Sequence, residues 1–312
     1  MKLNPRYQKN LYCLSKQLGL LIDLYNKKLL SNKIIFSGPK GVGKSTLAYH
    51  LINYIFSKDE ENSYNLNENL INVQNKSYKL IENRSHPNFY NIDLVDDKRN
   101  IEISQIREMI NYANKSSFNN KERFVLIDSV ENLNLNSLNA LLKIIEEPNE
   151  NLFFLLIHDS NKNISKTLKS RCISFNIGLT NIESKKVARN IIEEDVENIL
   201  SDELINYYIS PGDIVGLVKF VKENDLDFKN KTLKEMLLIL INENYYSKDK
   251  FIKYYIFVLI QSYFLKLLSI NKSKNKVQYL YNKFMSMSQN CVKYNLNYEN
   301  LFMELKYKIL NE

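Results

Sequence analysis

Short apolar runs alternate with amphipathic segments over residues 1–178. Runs of β-strand length lie at 34–36, 88–94, 124–127, 152–157 and 172–175. Between the second and third runs, Ile103, Ile106 and Met109 recur at the spacing of one helical face, which predicts a helix. Another helix is predicted at 137–147, where Pro148 ends it. Strands that alternate with helices predict an α/β fold with a largely parallel sheet.

After residue 178 the strand pattern ends and only helical periodicity remains. Helices are predicted at 181–200, 202–208, 233–241, 251–270, 277–292 and 298–310, with a short one ending near 222 after a break at 210–213. The polar stretch 57–85 has little periodicity and is predicted to be an elaborated loop or a weak helix. The chain therefore divides into a predicted α/β domain (1–178), a small helical domain (179–225) and a C-terminal helical domain (226–312).

Composition narrows the class of protein. The chain has 312 residues, of which 44% are hydrophobic, so sizeable cores can be buried. No apolar run is expected to approach the roughly 20 residues of a membrane span, and the polar N-terminus lacks the apolar segment of a signal peptide. Cys13, Cys172 and Cys291 lie far apart, which argues against a disulfide framework and a zinc site. The composition indicates a cytoplasmic protein without a membrane partner.

The charge is unevenly distributed along the chain. The formal net charge is +8, and residues 229–312 account for all of it, with 14 lysines and six acidic residues. Such a basic segment could lie beside nucleic acid or an acidic partner. A lysine-rich composition that merely solvates the surface explains the same count. Charge alone leaves both interpretations open.

The chain contains a complete phosphate-binding loop of the G-x-x-x-x-G-K-[ST] type, between the first predicted strand and a helical pattern. The loop and the threonine that follows it are Gly38, Pro39, Lys40, Gly41, Val42, Gly43, Lys44, Ser45 and Thr46. Glycines let backbone N–H groups converge on a phosphate, and the positive end of the following helix strengthens that field. We expect Lys44 to reach the β- and γ-phosphates of ATP and Ser45 to bind Mg²⁺.

Asp128 ends the third predicted strand, where P-loop proteins place the acid that orients Mg²⁺. The alternative is a core strand that happens to end in a capping aspartate. Because a full phosphate loop lies upstream, the sequence favours the magnesium role. A phosphate loop and this acid together leave kinases and ATPases open as classes.

Three further blocks carry a resemblance to a known family. They are IDSVENLN at 127–134, LNALLKIIEEP at 138–148 and TLKSRC at 167–172, and HPN at 86–88 followed by ISQIR at 103–107 adds to them. Together with the phosphate-binding loop, these blocks are distributed over most of residues 30–178 and resemble the clamp-loader branch of the AAA+ proteins, in particular the bacterial delta-prime subunits of DNA polymerase III. The helical remainder of the chain is similar in kind but carries no diagnostic motif.

The resemblance implies a RecA-like AAA+ domain, a small helical lid and a helical collar domain. It also implies a hetero-oligomer with gamma/tau motor subunits and a delta subunit, which loads a sliding clamp onto primed DNA. In that family the delta-prime subunit acts mainly as a stator. By the resemblance, Arg171 would project into the ATP site of a neighbouring motor subunit, and the chain would be a non-catalytic subunit of a DNA polymerase complex.

Several positions depart from the family's hydrolysing members. Ser129 follows Asp128 where those members commonly have a glutamate that activates water, so the chain's own ATP hydrolysis is expected to be weak or absent. Glu131 is expected to point elsewhere. His158 and Asp159 occupy the position of a γ-phosphate sensor that is often threonine or asparagine.

Two departures concern other parts of the family's pattern. The lid arginine would fall at 212–213, where the chain has glycine and aspartate. The four-cysteine zinc module of some members would fall in 57–85, which contains no cysteine, so no zinc is expected. A gamma/tau-like motor that hydrolyses ATP remains an alternative, as does a small-molecule P-loop kinase, although a kinase leaves the blocks around 138–148 and 170–172 unexplained.

Overall fold

The chain forms two compact units, residues 1–183 and 184–312. The computed structural model describes all residues except 1–3, 95–99, 116–120, 148, 150, 206, 271–273, 295 and 308–312, and the side chains at 250 and 292. Pro148, which was predicted to end the helix at 137–147, lies outside the described residues. The predicted division of the second unit into lid and collar domains stays a prediction.

The first unit is built on a parallel sheet of five strands in the order β2-β3-β4-β1-β5. The strands are β1 (Lys33–Gly38), β2 (Phe89–Ile92), β3 (Arg123–Ile127), β4 (Leu152–Asp159) and β5 (Ile173–Asn176). The helices of this unit are α1 (Ser15–Asn26), α2 (Lys44–Ser57), α3 (Lys76–Glu82), α4 (Ile103–Ala113), α5 (Leu135–Glu146) and α6 (Lys166–Lys169), and α7 (Asn181–Ile192) begins at its end. The predicted α/β class and parallel sheet are confirmed.

The strand order brings the glycine-rich loop and Asp128 to the same edge of the sheet. All five residues of β3 are buried, as are Ile34, Ile35 and Phe36 of β1, because both strands lie inside the sheet with helices on its faces. Since β4 alone separates β1 from β3, the loop after Gly38 and the acid after Ile127 emerge close together at the carboxyl edge of the sheet. Ligands of open parallel sheets bind at that edge.

The described part of the second unit is helical. Its helices after α7 are α8 (Asp202–Ile205), α9 (Pro211–Glu223), α10 (Leu233–Asn242), α11 (Tyr245–Lys248), α12 (Lys250–Ile270), α13 (Lys274–Tyr294) and α14 (Tyr298–Leu305). The predicted break at 210–213 is the start of α9, where Ser210 accepts a hydrogen bond from the backbone N–H of Asp213 at 3.2 Å. Proline is well suited to the first turn because its missing N–H needs no partner there.

The predicted single helix over 181–200 is wrong in its extent. It ends at Ile192, and Glu193 has a φ of 61°, in the left-handed region that does not continue a helix. Arg189, in the last turn, forms an ion pair with Glu197 at 2.7 Å. That contact holds the short 3-10 turn Val196–Asn198, whose first residue is fully buried.

One helical segment within the described residues, Phe251–Ile270, is long and apolar enough to cross a membrane by length and composition. This corrects the expectation that no apolar segment approaches that length. The segment lies in α12, which packs against α10, α11 and α13, and its Tyr255, Ile256 and Ile260 are fully buried. A buried core helix meets the same criteria, so the segment is weak evidence for a membrane span.

Candidate nucleotide site

The loop between β1 and α2 has the backbone that its glycines predict. Gly41 and Gly43 have φ values of 83° and 95°, which side-chain-bearing residues rarely adopt. A Cβ on Gly38 would lie 1.9 Å from the carbonyl oxygen of Ile177, so only glycine allows this close approach. Val42 is buried, Thr46 is half-buried and Lys40 is exposed. The loop therefore has a defined shape, with α2 beginning directly after Gly43.

Lys44 is buried inside the loop with only 5% of its surface exposed. Its Nζ donates to the carbonyl oxygens of Gly38 at 2.8 Å and Pro39 at 2.7 Å. Burial lowers the pKa of Lys44, and the charges of three nearby carboxylates oppose that shift, those of Asp159, Asp128 and Glu131. The ammonium group is thus held beside the first two residues of the loop, at the carboxyl edge of the sheet.

Ser45 and Asp128 meet across the site. The Ser45 hydroxyl, in the first turn of α2, donates to Asp128 Oδ2 at 2.7 Å, and the Ser129 hydroxyl donates to Oδ1 at 3.2 Å. Burial raises the pKa of Asp128, while these two hydrogen bonds and the charge of Lys44 lower it. A hydroxyl and a carboxylate at this distance fit Mg²⁺, which uses oxygen ligands and commonly takes only one or two from protein when phosphates supply others.

Glu131 lies nearer the site than the sequence indicated. The expectation that it points elsewhere is wrong, because its carboxylate accepts the backbone N–H of Asp159 at 3.2 Å and lies 3.6 Å from Lys162 Nζ. Its side chain is only 3% exposed, and its negative charge acts on Lys44. No spacing rule pointed to Glu131, since a 3-10 turn at Val130–Asn132 brings it back toward β4.

His158, which the resemblance placed at the position of a γ-phosphate sensor, has protein atoms in contact with both ring nitrogens. Its Nε2 lies 3.0 Å from the carbonyl oxygen of Lys162, which can only accept, so Nε2 carries the proton of that hydrogen bond. Its Nδ1 lies 3.0 Å from the Ser37 hydroxyl of β1. The histidine joins β4 to β1 and to the loop after β4, as a structural residue does.

Arg171 lies at the other edge of the sheet. It lies two residues before Ile173, the first residue of β5, and Ile173 pairs with Ile34 near the start of β1, four residues before Gly38. At a rise of about 3.3 Å per residue, these four residues separate the two edges by roughly 13 Å. The Arg171 guanidinium donates two hydrogen bonds. Its Nε donates to Glu146 Oε1 at 2.9 Å, and its Nη1 donates to the carbonyl oxygen of Thr167 at 3.0 Å.

Cys172 follows Arg171 and packs at the border of the core cluster between the sheet and helices α4 and α5. Burial raises the pKa of its thiol to about 11. A thiol with so high a pKa carries little thiolate at neutral pH, which is the reactive form. Cys172 is therefore a packing residue beside the arginine.

The parallel five-stranded sheet, with a phosphate loop after β1, an acid after β3 and helices following the sheet domain, defines an AAA+ protein. A family model described as "DNA polymerase III, delta subunit" matches residues 14–181, which is more than half of the chain. The chain belongs to the DNA polymerase III delta-prime subunit family. Membership of this family argues against the alternative of a small-molecule kinase.

Similarities to individual proteins support the family assignment. The chain is 27% identical over 157 residues to the DNA polymerase III subunit delta-prime of Pseudomonas aeruginosa, covering 50% of this chain and 46% of the relative. It is 26% identical over 205 residues to the delta-prime subunit of Bacillus subtilis, covering 66% and 56%. The gamma subunit of Buchnera aphidicola is 28% identical over 230 residues, covering 70% and 59%. The chain spans about half the length of the relatives it matches.

Proposed function

We propose that this chain is a delta-prime-type subunit of the DNA polymerase III clamp loader, and that it lends Arg171 to the ATP site of a neighbouring motor subunit. The observation that carries the proposal is the separation of Arg171, at the amino edge of the sheet, from the phosphate loop at the carboxyl edge. A guanidinium aimed at a γ-phosphate accelerates phosphoryl transfer by about 10³–10⁵-fold. Arg171 lies at the edge of the sheet opposite the loop of its own domain, so a nucleotide on another subunit is the target that suits it.

The loop is proposed to bind ATP with Mg²⁺. The backbone N–H groups of residues 40–45 would surround the phosphates, and Lys44 would exchange its two carbonyl partners for phosphate oxygens. Ser45 and Asp128 would hold Mg²⁺, which neutralises charge on the phosphates. Binding requires no other acid, since Mg²⁺ keeps several ligands from water and phosphate.

Weak hydrolysis by this chain follows from its residues around Asp128. Ser129 occupies the position of the activating glutamate, and its hydroxyl donates to Asp128. A hydroxyl is a poor base at neutral pH, and a positioned general base contributes about 10²–10⁴-fold to turnover. Glu131 accepts the N–H of Asp159 and lies beside Lys162, so its carboxylate is already engaged. These contacts support a stator over a motor.

The proposed partners are gamma/tau motor subunits, a delta subunit, the sliding clamp and primed DNA, in a cytoplasmic hetero-oligomer. A motor subunit is the second candidate function. It is favoured by the complete phosphate loop and by the similarity to a gamma subunit over 70% of this chain. Both candidates belong to the same assembly, so one experiment separates them.

That experiment measures ATP turnover, stimulated by clamp and primed DNA, in a loader reconstituted with this subunit as wild type, Lys44→Ala or Arg171→Ala. We expect Arg171→Ala to lower turnover at one neighbouring site by on the order of 10³-fold, because that site loses its trans guanidinium. We expect Lys44→Ala to abolish nucleotide binding by the isolated chain and to leave loader turnover almost unchanged. A strong loss with Lys44→Ala would identify a motor, and an unchanged rate with Arg171→Ala would remove Arg171 from the mechanism.

A further inference from the structure

Arg171 is held by its own chain through one specific carboxylate. Glu146 Oε1 accepts a hydrogen bond from Arg171 Nε at 2.9 Å and forms an ion pair with Nη2 at 2.7 Å, so one oxygen contacts two nitrogens on one side of the guanidinium. A third contact, from Nη1 to the carbonyl oxygen of Thr167 at 3.0 Å, fixes the plane of the group. Contacts on two edges determine the orientation of a planar guanidinium far better than a single ion pair does.

These contacts leave the outer end of the guanidinium available. Arginine has five N–H donors; the hydrogen bonds use the one on Nε and one on Nη1, and Nη2 has one side in ion-pair contact with Glu146. One N–H on Nη1 and one on Nη2 remain, among the contacts that the structure describes. Two parallel N–H groups are the arrangement that binds phosphate oxygens in pairs. The contacts with Glu146 and Thr167 therefore leave the Arg171 guanidinium able to bind a phosphate.

The two partners come from different elements. Glu146 is the last residue of α5, and Thr167 belongs to α6, which packs against α5 and leads directly into Arg171. The side chains of Arg171 and Glu146 are 38% and 51% exposed, so the contact lies at the surface, where a neighbouring subunit can reach it. An exposed pair of this kind contributes little to stability, about 0–1 kcal/mol. Its effect is on orientation.

We propose that Glu146 is a positioning residue, which holds the Arg171 guanidinium with its two remaining donors directed at the γ-phosphate of a nucleotide on the neighbouring subunit. The inference rests on the proposed function, since it specifies how the trans arginine is prepared. An arginine that must be ordered at the moment of reaction loses part of its effect, because its side-chain entropy is then lost in the transition state. Glu146 removes that requirement beforehand.

The test uses the reconstituted loader and four variants of this subunit: Glu146→Ala, Glu146→Gln, Arg171→Ala and the double variant Glu146→Ala/Arg171→Ala. Glu147→Ala is the matched control, because it removes the same charge one residue further on and takes no part in the described contacts of Arg171. Both kcat and KM for ATP are measured, and gel filtration checks that each variant enters the complex.

We expect Glu146→Ala to lower kcat at the neighbouring site on the order of 10-fold with little change in KM, since a misplaced group weakens the transition state and not ground-state binding. Glu146→Gln keeps an oxygen acceptor without the charge and should lose less. Glu147→Ala should match wild type. In the Arg171→Ala background, Glu146→Ala should have no further effect, because it acts only through the arginine.

Each contrary result has one meaning. If Glu146→Ala matches wild type or raises kcat while Arg171→Ala lowers it, the positioning role is overturned and the trans arginine stands. If the two single effects multiply in the double variant, Glu146 acts by another route and the inference is again overturned. If Arg171→Ala leaves kcat unchanged, the proposed function itself fails, and the inference fails with it.

Discussion

At the scale of single residues, the polar groups of the candidate nucleotide site are already paired with one another. Lys44 donates to two loop carbonyls, Ser45 donates to Asp128, and Ser129 donates to the other oxygen of the same carboxylate. Buried polar groups need such partners, because an unpaired one costs about 1–3 kcal/mol. Phosphate and Mg²⁺ would replace these contacts with stronger charged ones, so the site can exist with or without nucleotide.

The first prediction at this scale concerns Ser129. Changing Ser129→Glu should raise intrinsic ATP turnover of the isolated chain by about 10-fold or more, because it restores a carboxylate next to Asp128. Ser129→Gln is the matched control, with the same shape and no basic group. Phosphate release is the measurement. Equal rates for the two variants would mean that the base is not what limits turnover, and that the engaged His158 contributes more.

At the scale of elements, one buried arginine connects β3 to the end of α4. Arg123, the first residue of β3, is 3% exposed. Its guanidinium donates to the carbonyl oxygens of Tyr112, Lys115 and Ala113, where α4 ends. The last carbonyls of a helix have no partner within it, and a cation there also complements the helix dipole. This cap fixes α4 against the strand that delivers Asp128.

The second prediction follows from that cap. Arg123→Met keeps most of the apolar stem but leaves the buried carbonyls without their donor, and should lower the free energy of unfolding by about 3 kcal/mol. Urea denaturation followed by circular dichroism measures it. Lys121→Ala is the control, since Lys121 is exposed and its ion pair with Asp59 should contribute at most about 1 kcal/mol. Equal stability of both variants would show that water replaces the arginine as the cap.

At the scale of the whole molecule, one buried and one half-buried histidine make stability depend on pH. His50 is fully buried in α2 with Nδ1 2.7 Å from the Tyr64 hydroxyl, and burial lowers its pKa from 6.5 to about 4. Burial against Phe56 likewise lowers the pKa of His86 to about 4. The unfolded chain binds these protons below pH 6.5, whereas the folded chain binds them only near pH 4. Folding is therefore weakened as the pH falls through this window.

The third prediction is the size of that loss. At pH 5, which lies 1.5 pH units below the unfolded pKa of His50, protonation of His50 in the unfolded chain lowers the free energy of unfolding by about 2 kcal/mol. The free energy of unfolding of wild type should therefore fall more between pH 7.5 and pH 5 than that of His50→Gln, by about this amount. Urea denaturation of the full chain at the two pH values checks it. His86 keeps part of the slope in the variant, so parallel loss in both proteins would show that His50 is protonated in the folded state.

Much of the fold was predictable because it depends on local patterns. The five strands lie within two residues of the predicted runs at each end, and the helix at 103–113 was predicted from its apolar face. Helix α1 was not predicted, because its N-cap residue is Leu14, which is not one of the capping residues that indicate a helix start in a sequence. Helix 181–200 was predicted too long, because the ion pair of Arg189 and the left-handed Glu193 are not visible in apolar spacing.

The sequence by itself determined the class of this protein and the chemistry of its loop, because a glycine-rich turn between a strand and a helix and a carboxylate after a later strand need only short spacings to be recognised. The tertiary structure decided which distant groups meet. Glu131 reaches the candidate nucleotide site, His158 bridges two strands, and Glu146 contacts Arg171 at the opposite edge of the sheet. These contacts join residues 25 to 121 positions apart, and only strand order and helix packing bring such residues together.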